Sequence, residues 1–298
     1  MDVELEMDKT WEQMTREELD YQYSPSSELV KKTIECELGV SYGITDKQKL
    51  DIFGAQTLPG DAPIFMYIHG GYWQQLSREL SSFMVQPLCK AGAVVVVVGY
   101  DLAPQANMEM IVSQIKKATA YVLNLAKRRG SSGVYLCGHS AGGHLAAMML
   151  SVDWMSECMI SRSLIKGAVL ISGVFDLRPL VNSYVNEPIK MNIETAWNNS
   201  PNHHIDKIIK YSKDRKIIVV IGQYDPPTFR AQSKDFYKAL QEGGISSLYI
   251  DVADTDHFNV VENLEFEEYV VTLEIIRMMN LNIDSIVTGM SKANTGTD

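Results

Sequence analysis

Five consecutive valines, Val94–Val98, constrain the fold more than any other feature of the sequence. β-branched side chains favour extended backbone, and neighbouring side chains on a strand point to opposite faces of its sheet. A strand made only of valine is therefore stable where both faces of the sheet are covered, which is typical of the parallel sheets of α/β proteins.

Other short apolar runs alternate with segments of helical periodicity along the chain. Strands are predicted over residues 33–40, 64–68, 93–98, 134–137, 167–171, 216–221 and 247–252. Helices are predicted over residues 76–90, 108–129, 141–150, 229–241 and 266–279. This alternation predicts the α/β class, with a mainly parallel central sheet and helices on both of its faces.

Length and composition predict one domain over residues 1–298. Between residues 172 and 214 the periodicity weakens and Pro179, Pro188 and Pro201 interrupt the chain. This segment is expected to form a lid or insertion over the carboxyl edge of the sheet. The first 30 residues are expected to wrap the body of the domain, and the tail from Ser291 is expected to be frayed.

The formal net charge of −10 argues against nucleic acid or an anionic membrane as a partner, because both require a basic surface. The amino-terminal residues lack the basic and apolar parts of a signal peptide, and no apolar run is long enough to span a membrane. A soluble, cytoplasmic protein is therefore expected. The 4 cysteines are irregularly spaced without a CxxC pair, so neither a disulfide nor a metal site is expected. A homodimer stays an open possibility.

A G-x-S-x-G pentapeptide, Gly138-His-Ser-Ala-Gly142, lies between a predicted strand and a predicted helix. This is the context of a nucleophile elbow, a sharp turn in which the central serine has unfavourable backbone angles and an exposed hydroxyl. An ordinary glycine-rich turn shows the same pentapeptide, but the flanking strand and helix favour the elbow. Ser140 is therefore the candidate nucleophile.

A nucleophilic serine needs a histidine base and a carboxylate that fixes the tautomer of the base. In α/β-hydrolases the three follow in the order Ser, Asp or Glu, His. Only His257 lies on a loop after a late strand. The other histidines come before that point: His69, His139, His144, His203 and His204. Asp225 directly follows a strongly apolar strand and is the preferred acid, with Asp254 and Asp256 as rivals close to His257.

The segment His69-Gly-Gly-Tyr-Trp73 follows another predicted strand. It resembles the HGGG motif of lipases and esterases, whose backbone N–H groups hold the oxyanion of the transition state. An oxyanion hole is expected from Gly71, Tyr72 and Ala141, although the donor could be any of Gly70, Gly71 and Tyr72. His69 is expected to bond within its own loop.

Taken together, these motifs resemble the kynurenine formamidases (arylformamidases), near the hormone-sensitive-lipase-like α/β-hydrolases. The residues that carry the resemblance span most of the chain: His69 to Trp73, Tyr100 to Pro104, Gly138 to Leu145, Ser172 to Leu180, and the loops of Asp225 and His257. The resemblance implies the α/β-hydrolase fold, with Ser140 as nucleophile, Asp225 as acid and His257 as base. It also implies hydrolysis of N-formyl-L-kynurenine to L-kynurenine and formate in tryptophan catabolism, without a metal or organic cofactor.

The substrate pocket is less defined by the sequence. Bulky Tyr72 and Trp73 could restrict the acyl side to a formyl group, or Trp73 could be a core aromatic that anchors its loop. The insertion offers four candidates for the amino-acid end of the substrate: Phe175, Arg178, Tyr184 and Asn186. Of these, Arg178 is expected to pair with Asp176 or another surface acid instead.

Two other functions are compatible with parts of the sequence. A broad carboxylesterase for short acyl esters would keep every catalytic role and differ only in the pocket. A catalytically inactive hydrolase fold used for protein binding would usually lack a triad residue and carry a secretory signal, and the sequence shows neither feature.

Overall fold

The computed structural model describes residues 25–282. Its eight strands are β1 (Cys36–Ser41), β2 (Lys49–Phe53), β3 (Ile64–Ile68), β4 (Val94–Val98), β5 (Val134–His139), β6 (Ile165–Ile171), β7 (Lys216–Gly222) and β8 (Ser246–Val252). Its α-helices are α1 (Pro25–Thr33), α2 (Val85–Ala91), α3 (Met108–Arg129), α4 (Ala141–Leu150), α5 (Trp154–Cys158), α6 (Asn186–Ile189), α7 (Ile193–Asn198), α8 (Ile205–Tyr211), α9 (Pro227–Glu242), α10 (Asn259–Glu262) and α11 (Val270–Met278). The predicted wrapping of the first 30 residues falls largely, and the frayed tail from Ser291 wholly, outside the described residues.

All eight strands form one sheet in the order β1-β2-β4-β3-β5-β6-β7-β8. The β1/β2 and β2/β4 pairs are antiparallel, and every other neighbouring pair is parallel. The mainly parallel sheet predicted from the sequence is therefore confirmed. Because parallel strands end at the same edge, the loops after β3, β5, β6, β7 and β8 meet at the carboxyl edge of the sheet.

The valines of β4 contribute to two separate hydrophobic cores, one on each face of the sheet. Val94, Val96 and Val98 pack in the core that includes α3 and α4. Val95 and Val97 pack in the core that includes α2 and α11. Since all five side chains have no exposed surface, the strand is covered on both faces as predicted.

Most predicted elements are confirmed within a few residues at their ends, but two regions differ. The short strand β2 was not predicted, and residues 76–90 form a 3-10 turn at Arg78–Leu80 and an α-helix only from Val85 onwards. One ion pair joins the two regions: Arg78 Nε donates to the buried Asp51 Oδ1 of β2 at 3.1 Å. The aspartate interrupts the apolar pattern of the strand, and its partner holds the preceding loop against the sheet. No helix among residues 25–282 is long and apolar enough to cross a membrane.

Residues 172–214 consist of short helical segments between β6 and β7. They comprise α6, α7, α8 and two 3-10 turns, Arg178–Asn182 and Pro201–His204. The weak periodicity of the sequence reflects these short lengths. A role as a lid stays a prediction.

The turn between β5 and α4 depends on two glycines. A Cβ on Gly138 would overlap with the backbone of Gly142, and a Cβ on Gly142 would overlap with the carbonyl oxygens of Ile68 and His69 at the end of β3. The helix can therefore approach the sheet this closely only where these positions lack a side chain.

We predict that Gly142→Ala will destabilise the fold by more than about 4 kcal/mol, because the new methyl group meets rigid backbone rather than a movable side chain. Gly130→Ala is the control, since Gly130 has a φ of 76° but no atom within 4 Å of its Cβ position. Left-handed strain alone should cost the control about 1–2 kcal/mol. Denaturant unfolding measures both, and equal losses would contradict the prediction.

Candidate active site

Ser140 lies at the junction of β5 and α4 with φ 55° and ψ −118°. These are the unfavourable angles expected of the central serine of a nucleophile elbow. The side chain is 1% exposed, and its Oγ makes no hydrogen bond within the part of the chain that the structure describes. The strained backbone predicted for the elbow is therefore present, but the hydroxyl is buried rather than exposed.

Asp225 and His257 lie on the loops that follow β7 and β8, and they form a buried pair. The Asp225 Oδ1 and His257 Nδ1 atoms are 2.5 Å apart. A carboxylate accepts only, so Nδ1 carries the proton and Nε2 of the neutral ring keeps a lone pair. This is the tautomer that a general base requires.

The second carboxylate oxygen of Asp225 accepts two further hydrogen bonds. Oδ2 accepts hydrogen bonds from the Ser172 hydroxyl at 2.6 Å and from the Gly222 backbone N–H at 2.7 Å. Burial on its own would raise the pKa of Asp225, but the charge and hydrogen bond of His257 and the donors Ser172 and Gly222 together hold that pKa below its usual value. The carboxylate therefore stays ionised beside His257.

Ser172 was not singled out as a site residue in the sequence analysis. It directly follows β6, and its backbone N–H donates to the Val220 carbonyl of the neighbouring strand β7. The signal in the sequence was its position as the first residue of the segment from Ser172 to Leu180, which carries part of the family resemblance. This segment follows β6, which pairs with β7, the strand that precedes Asp225.

The rival acids have other partners. Asp256 Oδ1 accepts hydrogen bonds from the backbone N–H groups of Phe258 and Asn259 within its own loop. Asp254 Oδ1 accepts from the Tyr224 hydroxyl at 3.4 Å. Among the three aspartates, the structure brings only Asp225 to the imidazole of His257.

The residue before Ser140 connects the elbow to the loop of His257. His139 Nε2 donates to the His257 carbonyl oxygen at 2.7 Å, and the two ring centroids are 4.7 Å apart. Burial lowers the pKa of His139 to about 3, so the ring stays neutral beside His257. Ser140 and His257 are thus held in one cluster, although Ser140 Oγ donates no hydrogen bond to the imidazole among the described residues. Such catalytic hydrogen bonds often form only in the substrate complex.

The loop after β3 lies directly against the elbow. A Cβ on Gly70 would be 3.2 Å from the Ser140 Cβ. Gly71, Tyr72 and Trp73 all have positive φ, at 92°, 45° and 60°. His69 Nδ1 donates to the Gly70 carbonyl oxygen, so this histidine bonds within its own loop as predicted.

Ala141 is the first residue of α4, and its N–H has no acceptor inside the helix. The loop after β3, through Gly70, and the helix start at Ala141 therefore both lie next to Ser140. Their role as an oxyanion hole stays a prediction.

Trp73 is fully buried, and its indole Nε1 donates to His144 Nδ1 at 3.2 Å. These contacts correspond to the anchoring role, one of the two roles that the sequence left open. A role of Trp73 in lining a substrate pocket stays a prediction.

The four insertion residues proposed for the amino-acid end of the substrate have different environments. Arg178 pairs with Asp176, with Nη2 and Oδ2 2.6 Å apart, as predicted. The Asn186 side chain bonds the backbone of Val181 and Met191. The buried Phe175 ring stacks on Phe236. Tyr184 is 44% exposed.

Phe229 is a residue near the site that the sequence analysis treated only as the start of a helix. It lies in the first turn of α9, and its ring centroid is 4.7 Å from that of His257 and 6.5 Å from that of Tyr72. The signal in the sequence was its position four residues after Asp225. Within residues 25–282, no group of three or more His, Cys, Asp or Glu side chains is arranged to hold a metal ion.

Comparison with known proteins agrees with this arrangement. Residues 65–260 match the family described as Abhydrolase_3, with an α/β hydrolase fold. The kynurenine formamidase of Danio rerio is 39% identical over 90% of this chain and 98% of its own length. The kynurenine formamidase of Salmo salar is 41% identical over the same shares of the two chains.

A solved structure from Silicibacter sp. TM1040, provisionally described as a thioesterase, is similar as a whole. It has a TM-score of 0.71 and 29% identity, and the match covers 87% of this chain and 91% of the other. The family match and the similar solved structure both indicate an α/β-hydrolase fold. The similarity to the two kynurenine formamidases extends over nearly their whole length. The chain belongs to the kynurenine formamidase family of the α/β-hydrolases.

Proposed function

We propose that this protein is a serine hydrolase that cleaves the formamide of N-formyl-L-kynurenine to L-kynurenine and formate, a step of tryptophan catabolism. The observation that carries the hydrolase chemistry is the buried hydrogen bond between Asp225 and His257 beside the strained elbow of Ser140. The two curated relatives, each about 40% identical, support the substrate. A cytoplasmic location and a homodimer stay predictions.

In the proposed first step, Ser140 Oγ attacks the formyl carbon while Nε2 of His257 takes its proton. The carbonyl oxygen becomes an oxyanion, which the N–H groups of Gly71, Tyr72 and Ala141 would stabilise. His257 then returns the proton to the aryl nitrogen, the C–N bond breaks and L-kynurenine leaves. Ser140 is left as a formyl ester.

In the second step, a water molecule takes the place of the amine. His257 removes its proton, the hydroxide attacks the formyl ester, and the proton returns to Ser140 Oγ as formate leaves. Asp225 keeps Nδ1 of His257 protonated in both steps and stabilises the imidazolium that forms in each. No further proton donor is needed, because one imidazole serves as base and acid in turn.

We predict that Asp225→Asn will lower kcat on N-formyl-L-kynurenine by about 10⁴-fold, the loss seen in the serine-protease template when the acid no longer selects the correct tautomer. Asp254→Asn is the matched control, because Asp254 also lies on a loop at this edge but bonds Tyr224. It should keep kcat within about threefold of the original chain, since it leaves the tautomer of His257 unchanged. Steady-state kinetics of both variants and of Ser140→Ala check the assignment, and full activity of Asp225→Asn would show that another group orients the base.

We also predict a strong preference for the smallest acyl group. Phe229 packs against the imidazole of His257, and Tyr72 packs against Phe229. A formyl anilide should therefore react with a kcat/KM at least about tenfold above that of the butyryl anilide, the cost of one poorly accommodated group in a shaped pocket. Rates on the two anilides, on N-formyl-L-kynurenine and on p-nitrophenyl acetate measure the preference. Equal rates on the anilides, or a kcat/KM on the ester that matches the formyl substrate, would favour the short-acyl carboxylesterase instead.

A further inference from the structure

The loop that presents the proposed oxyanion donors has an unfavourable backbone. Gly71, Tyr72 and Trp73 have three consecutive positive φ angles, and only the first of them is a glycine. Aromatic residues in this region cost free energy and persist only where the surroundings hold them in place. The contacts that hold this loop therefore determine where its N–H groups point.

Two hydrogen bonds fix the loop at Trp73. The Trp73 carbonyl oxygen accepts from the Ala103 N–H at 2.8 Å, a bond to the main chain of a neighbouring loop. The indole Nε1 donates to His144 Nδ1 at 3.2 Å, and the two rings meet edge to face with centroids 5.1 Å apart. His144 is thus the side chain that receives the polar atom of Trp73.

The proton positions of His144 follow from its two partners. An indole N–H only donates, so Nδ1 must be the acceptor. Nε2 lies 2.7 Å from the Asn199 carbonyl oxygen, which only accepts, so Nε2 carries the proton. Burial lowers the pKa of His144 to about 4, so the neutral ring with this tautomer persists near pH 7.

His144 also joins the three parts of the site. It lies on α4, four residues after Ser140, and its backbone N–H donates to the Ser140 carbonyl oxygen. Residues 69–73 are called the oxyanion loop below. Through Nδ1, His144 holds Trp73 of this loop, and through Nε2 it holds Asn199 at the end of α7 in the insertion. A second contact between the same loop and the insertion is the bond from Gln74 Nε2 to the Val185 carbonyl oxygen at 2.7 Å.

We propose that His144 is a positioning residue that aims the oxyanion donors of Gly71 and Tyr72 by accepting the indole hydrogen bond of Trp73. The proposal rests on the proposed hydrolase function and adds a second histidine to it, which touches neither the substrate nor the reacting atoms. Since an oxyanion hole acts on the transition state, losing this bond should lower kcat and leave substrate binding almost unchanged.

Three variants separate the two hydrogen bonds of His144. Trp73→Phe keeps an aromatic ring and removes only the indole donor. His144→Gln places an amide near the position of Nε2, so it keeps a donor for Asn199 and loses the acceptor for Trp73. His144→Asn places an amide oxygen near the position of Nδ1, so it keeps the acceptor for Trp73 and loses the donor for Asn199.

Trp154→Phe is the matched control. Trp154 is 1% exposed, and its indole donates to the Met149 carbonyl oxygen at 3.2 Å. The substitution therefore removes the same buried donor from a tryptophan that lies outside the oxyanion loop. It reports the effect of lost stability alone, which thermal unfolding of every variant also measures.

On N-formyl-L-kynurenine, Trp73→Phe and His144→Gln should each lower kcat by about 10- to 100-fold, less than the loss of an entire oxyanion donor. KM should change by less than about threefold, because ground-state binding does not use the oxyanion hole. His144→Asn and Trp154→Phe should keep kcat within about threefold of the original chain. The double variant Trp73→Phe/His144→Gln should lose no more than the worse single variant, because both remove the same bond.

A binding comparison tests the transition-state effect directly. Affinity for a trifluoromethyl ketone analogue, which forms a tetrahedral oxyanion with the serine, should fall with kcat, whereas affinity for the product L-kynurenine should not. Equal losses for the two ligands, additive losses in the double variant, or a His144→Asn variant as slow as His144→Gln would overturn the proposal. If His144→Gln fails to fold, the kcat of Trp73→Phe is compared with that of Trp154→Phe. Equal values for these two variants would also overturn the proposal.

Failure of the proposed function is distinguishable from failure of this inference. All variants are also assayed on p-nitrophenyl acetate, whose hydrolysis needs the same oxyanion hole. If the original chain cleaves the ester but not N-formyl-L-kynurenine, the substrate assignment is wrong and the role of His144 is decided on the ester. If all variants hydrolyse both substrates like the original chain, the role of His144 is wrong and the function stands.

Discussion

The close approach of α4 to the end of β3 is the constraint on which the rest of the site depends. Gly142 contacts the carbonyl oxygens of Ile68 and His69 so closely that no side chain fits between them. This contact forces the chain to reverse within one residue at Ser140, which accepts a positive φ as a result. It also brings the first free N–H of the helix next to the loop that follows β3. The positions of the proposed nucleophile and of the proposed oxyanion donors therefore both depend on one packing contact between backbone segments.

Once the elbow is formed, the register of the parallel strands supplies the other partners. Ile171 pairs with Val220 and Gly222 pairs with Val252, so the loops after β6, β7 and β8 leave the sheet side by side. Asp225 thereby receives donors from the loops after β6 and β8 and from the last residue of β7, so both of its oxygens accept hydrogen bonds. A buried carboxylate with a missing donor would be costly, so the acid is kept charged by the same strand order that places it. The negative charge of Asp225 therefore depends on the order in which the parallel strands are arranged.

The sequence predicted the parts of the molecule that local patterns determine. Five valines predicted a doubly covered strand, and the pentapeptide with the chain order of acid and base predicted the Asp225–His257 pair that the structure contains. Predictions from the sequence failed where contacts between distant segments determine the local structure. The Asp51–Arg78 ion pair joins β2 to the segment before α2, and an aspartate at a buried strand position interrupts the apolar pattern from which β2 could have been predicted. The contacts of Trp73 and Ser172 were missed for the same reason, since no spacing in the sequence indicates a partner on another element.

The exposure of the site residues bears on which acyl groups can react. Ser140, His257 and Tyr72 are only 1%, 6% and 5% exposed, so the reacting atoms lie in a nearly closed space. A formyl group carries a single hydrogen on its carbonyl carbon and needs almost no room beyond the oxyanion donors. A longer acyl chain would have to displace the rings of Tyr72 or Phe229, and the cost of moving a packed aromatic ring rises steeply with each added carbon.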